Sequence, residues 1–279
     1  MRYPSIDLNG AVVAVTGGGR GIGRATAELF AAGQADVWIG DLDADVAAAT
    51  AAEIGGTGHA LDVTSAESFA EFVATILARH RRIDILVNNA GIMPLGDFLT
   101  EDPAISRATM DVNVFGLIHG MRAVLPQMIE RRRGHVVNVA SMAGKLAVPG
   151  LAVYNASKFA AVGLSAAVRE EYRDTGVSVT TVLPSAVRTR LTTGIPLGKG
   201  MPTVEPLDVA RAIVGTVADR PAEVTVPGYL AGWNLLEAVV PEPVMQLGRR
   251  LLGDRRGLTD LAAESRGDYT AAVAAQARR

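Results

Sequence analysis

Tyr154 and Lys158 stand four residues apart in the segment YNASK. The chain holds 24 Arg but only three Lys (Lys145, Lys158 and Lys199) and five Tyr, so such a pair arises by chance in about one chain in twenty of this composition. On a helix, positions i and i+4 share a face, which brings the phenol and the ammonium together. A neighbouring cation favours the phenolate, so the pair predicts a tyrosine of lowered pKa able to exchange a proton with an alcohol near neutral pH. Alone, the pair would be better read as a solvated helix face with an amphipathic Tyr. It has company. Ser141 closes the apolar run NVAS, where its hydroxyl can donate to an oxygen on which charge develops. NNAG, from Asn88 to Gly91, closes another such run, and Asn113 lies inside a helical stretch where an amide has no propensity advantage.

A second constellation precedes these. TGGGRGIG, from Thr16 to Gly23, follows the Val-rich run AVVAV and opens a helical segment. Three glycines at fixed offsets say little in a chain with 30 Gly. Their position between a strand and a helix says more, because exposed N–H groups at a helix start favour a diphosphate. Gly17 and Gly21 allow close backbone approach and Gly23 allows tight helix–strand packing, while Gly19, Arg20 and Ile22 complete the cofactor-facing loop. No Lys-Ser or Lys-Thr follows, which excludes a nucleoside-triphosphate P-loop. Asp41, with Leu42 beside it, ends the next strand 18 residues beyond Gly23, near the spacing at which a carboxylate holds the adenosine ribose. That charge repels a 2′-phosphate, so NAD is expected over NADP, with Arg20 as the counterweight.

The elements that must position these residues alternate. Strands are expected at 11–15, 36–40, 59–61, 83–87, 135–140, 177–183 and 223–226, with helices near 22–32, 44–54, 65–80, 103–131, 151–175 and 206–219. Thr100 or Asp102 should cap the fourth helix, and Pro126 should kink it or end it early. Continuous apolar strands between helices imply an α/β fold: a doubly wound, mostly parallel, seven-stranded sheet in one domain over residues 1–228. Residues 229–279 are expected to form a helical appendage packed on that domain or on a neighbouring subunit. A membrane-surface helix or a lid over an apolar pocket are its alternatives, and the closing AAVAAQARR should fray.

Composition narrows the classes. Apolar residues make up 49% and charged residues 20%, as in a globular protein, and a net charge of −2 gives no electrostatic case for nucleic acid. With no Cys, disulfides, thiolate metal sites and cysteine nucleophiles drop out. The four His (His59, His80, His119, His135) lack metal-site spacing, so no metal is expected. The start, MRYPSIDLNG, carries no secretory h-region, and no apolar run approaches the roughly 20 residues of a membrane span. A cytoplasmic protein is the expectation.

TGGGRGIG, Asp62 in LDVT, NNAG, Asn113 in MDVNVFG, Ser141 and YNASK together resemble the short-chain dehydrogenase/reductases over roughly residues 8–228. The resemblance implies an NAD(P)-dependent enzyme acting on CH–OH groups. Tyr154 would be its acid/base, Lys158 the partner that lowers the tyrosine pKa and holds the nicotinamide ribose, Ser141 the group that polarises the carbonyl, and Asn113 the support of a water-mediated proton relay. It further implies that Asp62 and Val63 contact adenine, that Asn89, Ala90 and Gly91 line the cofactor, and that Pro184, Val187 and Thr189 reach the carboxamide. Ser185 stands where the family has Gly. A homodimer or homotetramer built through the helices near 103–131 and 151–175 is implied as well.

The segments expected to wall the substrate pocket, 92–95, 142–151 and 191–201, are mostly apolar, Lys145, Arg190 and Lys199 excepted. A hydrophobic alcohol or ketone, steroid-like, retinoid-like or long-chain, is therefore expected. A catalytically silent dinucleotide sensor or scaffold would have no need of Ser141, Tyr154 and Lys158 in register. A nucleotide-sugar epimerase or dehydratase would need a larger lobe than the roughly 50 residues after the last strand, and an S-adenosylmethionine methyltransferase gives no reason for YNASK.

Overall fold

Val12–Thr16, buried along its whole length, forms strand β1. Val12 and Ala14 enter one hydrophobic core, while Val13 and Val15 enter another. That alternation is what a strand covered on both faces requires. The computed structural model describes residues 3–192, 202–232 and 263–278. The later strands are β2 (Asp36–Asp41), β3 (Thr57–Ala60), β4 (Ile85–Asn88), β5 (Gly134–Val139), β6 (Val177–Pro184), the short β7 (Ala186–Val187) and β8 (Thr203–Val204), and β9 (Glu223–Val226). Seven of them form a sheet of order β3-β2-β1-β4-β5-β6-β9, and every neighbouring pair is parallel. The chain runs one way from β1 to β3 and the other way from β4 to β9, so the strand order reverses between β1 and β4. At such a switch point the strand ends diverge and open a crevice for ligand.

The helices are α1 (Gly21–Ala32), α2 (Ala44–Ile54), α3 (Ala66–His80), α4 (Pro103–Met110), α5 (Gly116–Glu130), α6 (Ala152–Glu171), α7 (Pro206–Asp219) and α8 (Ala263–Ala277). Ala27 and Phe30 of α1, Ala51 of α2 and Ile213 of α7 join the core on one face. Phe69 and Phe72 of α3, Met121 and Met128 of α5 and Ala161 of α6 join the other. Each phenylalanine so enclosed contributes roughly 1.5–3 kcal/mol. Asp43, Ser65 and Asp102 accept hydrogen bonds from first-turn amides and fix where α2, α3 and α4 begin.

The seven expected strands are present, and of the two caps expected for α4 it is Asp102 that serves, with Pro103 in the first turn. Elsewhere the helices differ from expectation. Pro126 does not end its helix, which runs on to Glu130. The interruption comes earlier, in a π-helical turn at Asp111–Phe115 that separates α4 from α5. The C-terminal AAVAAQARR continues α8 to Ala277, with Val273 buried in the core. Residues 233–262, most of the expected appendage, lie outside the described residues, as do 193–201 of the expected pocket wall.

Candidate functional site

At the β1–β4 switch point the glycine loop packs directly on the end of β4. Gly17 takes a positive φ of 60°, and a Cβ there would sit 2.9 Å from Ala90 Cα. At Gly23 a Cβ would lie 2.1 Å from the Gly17 oxygen and 2.5 Å from Asn89 Nδ2. No side chain fits at either place. The contact is then cross-stitched. Asn89 Nδ2 donates to the carbonyls of Thr16 (3.1 Å) and Gly17 (3.0 Å), while Thr16 Oγ1 accepts from the amides of Asn89 (3.0 Å) and Ala90 (3.1 Å). Thr16 carried no signal beyond opening the glycine motif, and it proves to be the hub of this edge. Arg20 occupies the N-cap of α1 and makes no side-chain cap bond. The first-turn amides of Gly21, Ile22 and Gly23 are thus uncapped, the donor set a diphosphate needs.

Asp41 ends β2 beside this loop. Its Oδ2 accepts from the Gly19 amide at 3.1 Å and its Oδ1 from the Asp43 amide at 3.2 Å. A Cβ on Gly19 would approach Asp41 Oδ2 to 3.0 Å, so loop and carboxylate touch. Leu42 stays exposed. Arg20 turns to Asp43, with Nη2 3.0 Å from Oδ2, and that hydrogen bond holds the Asp43 carboxyl below its usual range. Asp62 is occupied by its own turn, Oδ1 accepting from the Thr64 amide (2.9 Å) and hydroxyl (2.7 Å), and Val63 packs over Gly116. Past β6, Pro184 pairs with Val226, Val187 with Val204 in the short ladder, and the Thr189 methyl comes over Gly21. Ser185 adopts no positive φ; its hydroxyl donates to the Pro202 carbonyl, so the departure from Gly costs the backbone nothing here.

The four residues singled out for chemistry meet at the same edge. Lys158, 6% exposed, extends from α6 to donate to the Val139 carbonyl at 3.1 Å, and its Nζ lies 5.7 Å from the centre of the Tyr154 ring. The Ser141 hydroxyl accepts from the Ala143 amide at 3.1 Å and faces the Tyr154 phenol closely enough to favour its ionised form. Gly91 sits between the groups: a Cβ there would reach Asn113 Oδ1 at 3.2 Å and Lys158 Nζ at 3.7 Å. Asn113 is buried on the π turn. Its Oδ1 accepts from the Ile92 amide (2.9 Å), and its Nδ2 donates to the Ile92 carbonyl (2.9 Å) and to Ser157 Oγ (3.0 Å).

The electrostatics differ from the expectation for a Tyr–Lys pair. Burial pushes the Tyr154 phenol up to about 12, outweighing the hydrogen bond from Ser141, and pushes the Lys158 amine down to about 8. In this closed site desolvation wins over attraction: the phenolate loses water that an amine 5.7 Å from the ring centre does not replace, and the ammonium loses its own water to burial. Two residues that the motifs did not single out hold the assembly. Ser157 links Asn113 to the Tyr154 carbonyl, and Asn155 Nδ2 donates to the carbonyls of Ala143 and Leu146, both at 2.8 Å. The histidines are dispersed, and among the described residues no cluster suited to a metal ion occurs.

A family model described as short chain dehydrogenase matches residues 11–199. The human protein named estradiol 17-beta-dehydrogenase 11 is 33% identical over 253 residues, spanning 88% of this chain and 84% of that protein. A probable oxidoreductase, EphD of Mycobacterium tuberculosis, is 39% identical over 191 residues, which cover 66% of this chain and 32% of that protein. Among solved structures, a 3-ketoacyl-(acyl-carrier-protein) reductase from Brucella melitensis complexed with NADH superposes with a TM-score of 0.73 at 30% identity, covering 78% of this chain and 97% of that one. A metagenomic short-chain oxidoreductase in complex with NADP gives 0.69 at 35% identity, over 79% and 98%. Fold, sequence match and a nicotinamide-dinucleotide cradle agree: the chain belongs to the short-chain dehydrogenase/reductase family.

Proposed function

We propose that this chain is an NAD-dependent oxidoreductase that interconverts a secondary alcohol and a ketone, with Tyr154 as the acid/base. The observation that carries the reading is the convergence of Ser141, Tyr154 and Lys158 on the edge formed by Asn89, Ala90 and Gly91. Gly17 to Gly23 would hold the diphosphate, Asp41 and Leu42 the adenosine ribose, Asp62 and Val63 the adenine, and Pro184, Val187 and Thr189 the carboxamide. A nicotinamide dinucleotide supplies the hydride acceptor or donor. The protein supplies orientation and a proton. Burial keeps the Tyr154 phenol protonated at neutral pH, so its Oη can donate to a carbonyl oxygen that Ser141 also polarises. Lys158 stands behind the phenol with its ammonium held by Val139. Asn113 supports the relay as a positioning residue, bonded to Ile92 and to Ser157, the residue before the lysine.

The preference for NAD is supported by the Asp41 carboxylate beside the glycine loop, which would repel a 2′-phosphate, and by Arg20 being engaged by Asp43. The pocket side supports a hydrophobic substrate: Met93, Ala143 and Tyr154 cluster with Leu151 and Leu191, while Lys145 turns to Glu223 at 2.8 Å. The relative named for estradiol and the structural neighbour named for a ketoacyl group both fit that chemistry. Phe115 and Phe159, each nearly half exposed beside α5 and on α6, are apolar surface that a homodimer or homotetramer would cover. The test is a screen of lipophilic and polar alcohols and ketones, following reduced-nicotinamide absorbance with NAD and with NADP. Tyr154→Phe should lower turnover by about a thousandfold while the dinucleotide Kd changes less than about threefold. Retained turnover rejects the assignment.

A further inference from the structure

Tyr269 lies 176 residues from Met93, yet its Oη accepts the Met93 amide hydrogen at 2.7 Å. The ring is 8% exposed, and Val273, one turn further along α8, is 4% exposed; both join the core that contains Ile92 and Ala108. The neighbouring Thr270, Ala271 and Ala272 face solvent, so among the described side chains α8 packs on the domain through the stripe of Tyr269, Val273 and Ala277. Tyrosine instead of phenylalanine is informative here, because a buried hydroxyl must find a partner, and this one finds a backbone amide of the expected pocket wall. Met93 in turn packs its side chain against Tyr154 and Ala143. A single residue thus separates the Tyr269 phenol from the proposed acid/base, and the two phenols are near enough that Tyr269 helps to keep Tyr154 protonated. Beside them opens a cavity of about 280 Å³, lined by Leu95, Ile105, Tyr269 and Val273 and also by the acidic Asp97, Glu101 and Asp102.

We propose that Tyr269 is a specificity-determining residue: latched to the Met93 amide, it forms the end wall of the substrate pocket and sets how large an apolar alcohol or ketone can lie against Tyr154. This rests on the proposed oxidoreductase reading, and it goes further by assigning the size limit to a residue outside the family motifs. The ring lines the cavity on one side and bonds to Met93 on the other, so its loss would join the space at Met93 and Tyr154 to that cavity.

The experiment compares wild type, Tyr269→Phe and Tyr269→Ala in two ways. The first is kcat/KM for a ring-sized and for a steroid-sized secondary alcohol. Tyr269→Ala should move the large-to-small ratio upward by at least about tenfold, chiefly through KM, and Tyr269→Phe by no more than about threefold. The second is amide hydrogen exchange of the segment 90–97 without any ligand. Exchange should quicken by at least about fivefold in both variants, because both lose the acceptor for Met93. A ratio unchanged within twofold in a Tyr269→Ala protein that still unfolds cooperatively overturns the specificity role. Unchanged exchange in Tyr269→Phe, the variant that keeps the ring and its packing, overturns the latch. A wild type inert towards every alcohol and ketone with both dinucleotides sinks the oxidoreductase reading and the size limit together, whereas the exchange result still decides the latch.

Discussion

Replacing Lys158 with Met should make the ligand-free protein more stable while removing its activity. The Lys158 amine is pushed from 10.5 down to about 8 by burial. At about 1.4 kcal/mol per pH unit, carrying the ammonium at neutral pH costs the fold about 3 kcal/mol relative to the unfolded chain. Methionine fills much of the same channel without a charge. Its cost is the Val139 carbonyl, which loses the lysine as a donor at 3.1 Å, worth about 1 kcal/mol. The expected balance is a gain of about 2 kcal/mol at pH 7, read by urea unfolding without dinucleotide. The pH dependence gives a second, independent check. Between pH 8 and 10.5 the unfolded chain keeps a proton on this lysine that the folded chain has released, so wild-type stability rises through that window and the variant's does not. By pH 10 the variant's advantage should be gone. Turnover with the best substrate should fall by at least about a hundredfold. A Lys158→Met protein less stable than wild type at pH 7, or a stability difference that ignores pH, refutes the claim that this amine is held against its own solvation.

His135, buried between Ser178 Oγ and Thr216 Oγ1 at 2.9 Å each, is pushed from 6.5 down to about 3, by burial first and then by the Arg220 charge. Because the unfolded chain takes up a proton there that the folded chain refuses, stability is lost as pH falls. The wild-type advantage over His135→Asn should shrink by about 3 kcal/mol between pH 7 and 4 in urea melts, and a constant difference contradicts a buried neutral imidazole. Asp41→Asn keeps an acceptor for the Gly19 amide and removes the charge; the NAD-to-NADP ratio of kcat/KM should drop by at least about tenfold, and an unchanged ratio would release Asp41 from cofactor choice. Gly23→Ala forces a methyl to within 2.1 Å of the Gly17 oxygen. Dinucleotide binding measured by calorimetry should weaken by more than about a hundredfold, and near-native affinity would mean that loop and helix need not touch.

Much of this architecture is legible in the chain because its signals are local. Val12–Thr16 and Val177–Pro184 are buried from end to end, so their apolar runs survive in the sequence as strands. Thr16 to Gly23 and YNASK carry their meaning at fixed spacing. What stays hidden is non-local or electrostatic. The π turn at Asp111–Phe115 inserts one residue into a helix and leaves no period to read, yet it is the turn that carries Asn113. The β7–β8 ladder has two residues a side and only tertiary contacts to define it. Tyr269 sits in a segment of Ala and polar residues, and its partner is a backbone amide with no side-chain signature. The spacing of Tyr154 and Lys158 gives their proximity but not their burial, and burial reverses the expected sign of the tyrosine shift.

The proposed reacting groups, Ser141, Tyr154 and Lys158, are placed by residues whose own contacts are to backbone and to one another. Asn113 grips Ile92 through both amide and carbonyl and reaches Ser157, which bonds to the Tyr154 backbone. Asn155, next to the tyrosine, holds the Ala143 and Leu146 carbonyls and so fixes the turn that starts at Ser141. Gly144 allows that turn to lie directly on α6, where a Cβ would come within 2.6 Å of the Lys158 carbonyl. The three groups therefore cannot separate without breaking buried hydrogen bonds, each costly to leave unpaired. A free lysine and a free tyrosine would move apart into water. Here the amine and the phenol, each disfavoured as an ion, are kept together by a scaffold whose own polar atoms are satisfied by one another. The energy that holds them comes from the two cores on either face of the sheet, which is why the site can store an unfavourable charge that the fold as a whole tolerates.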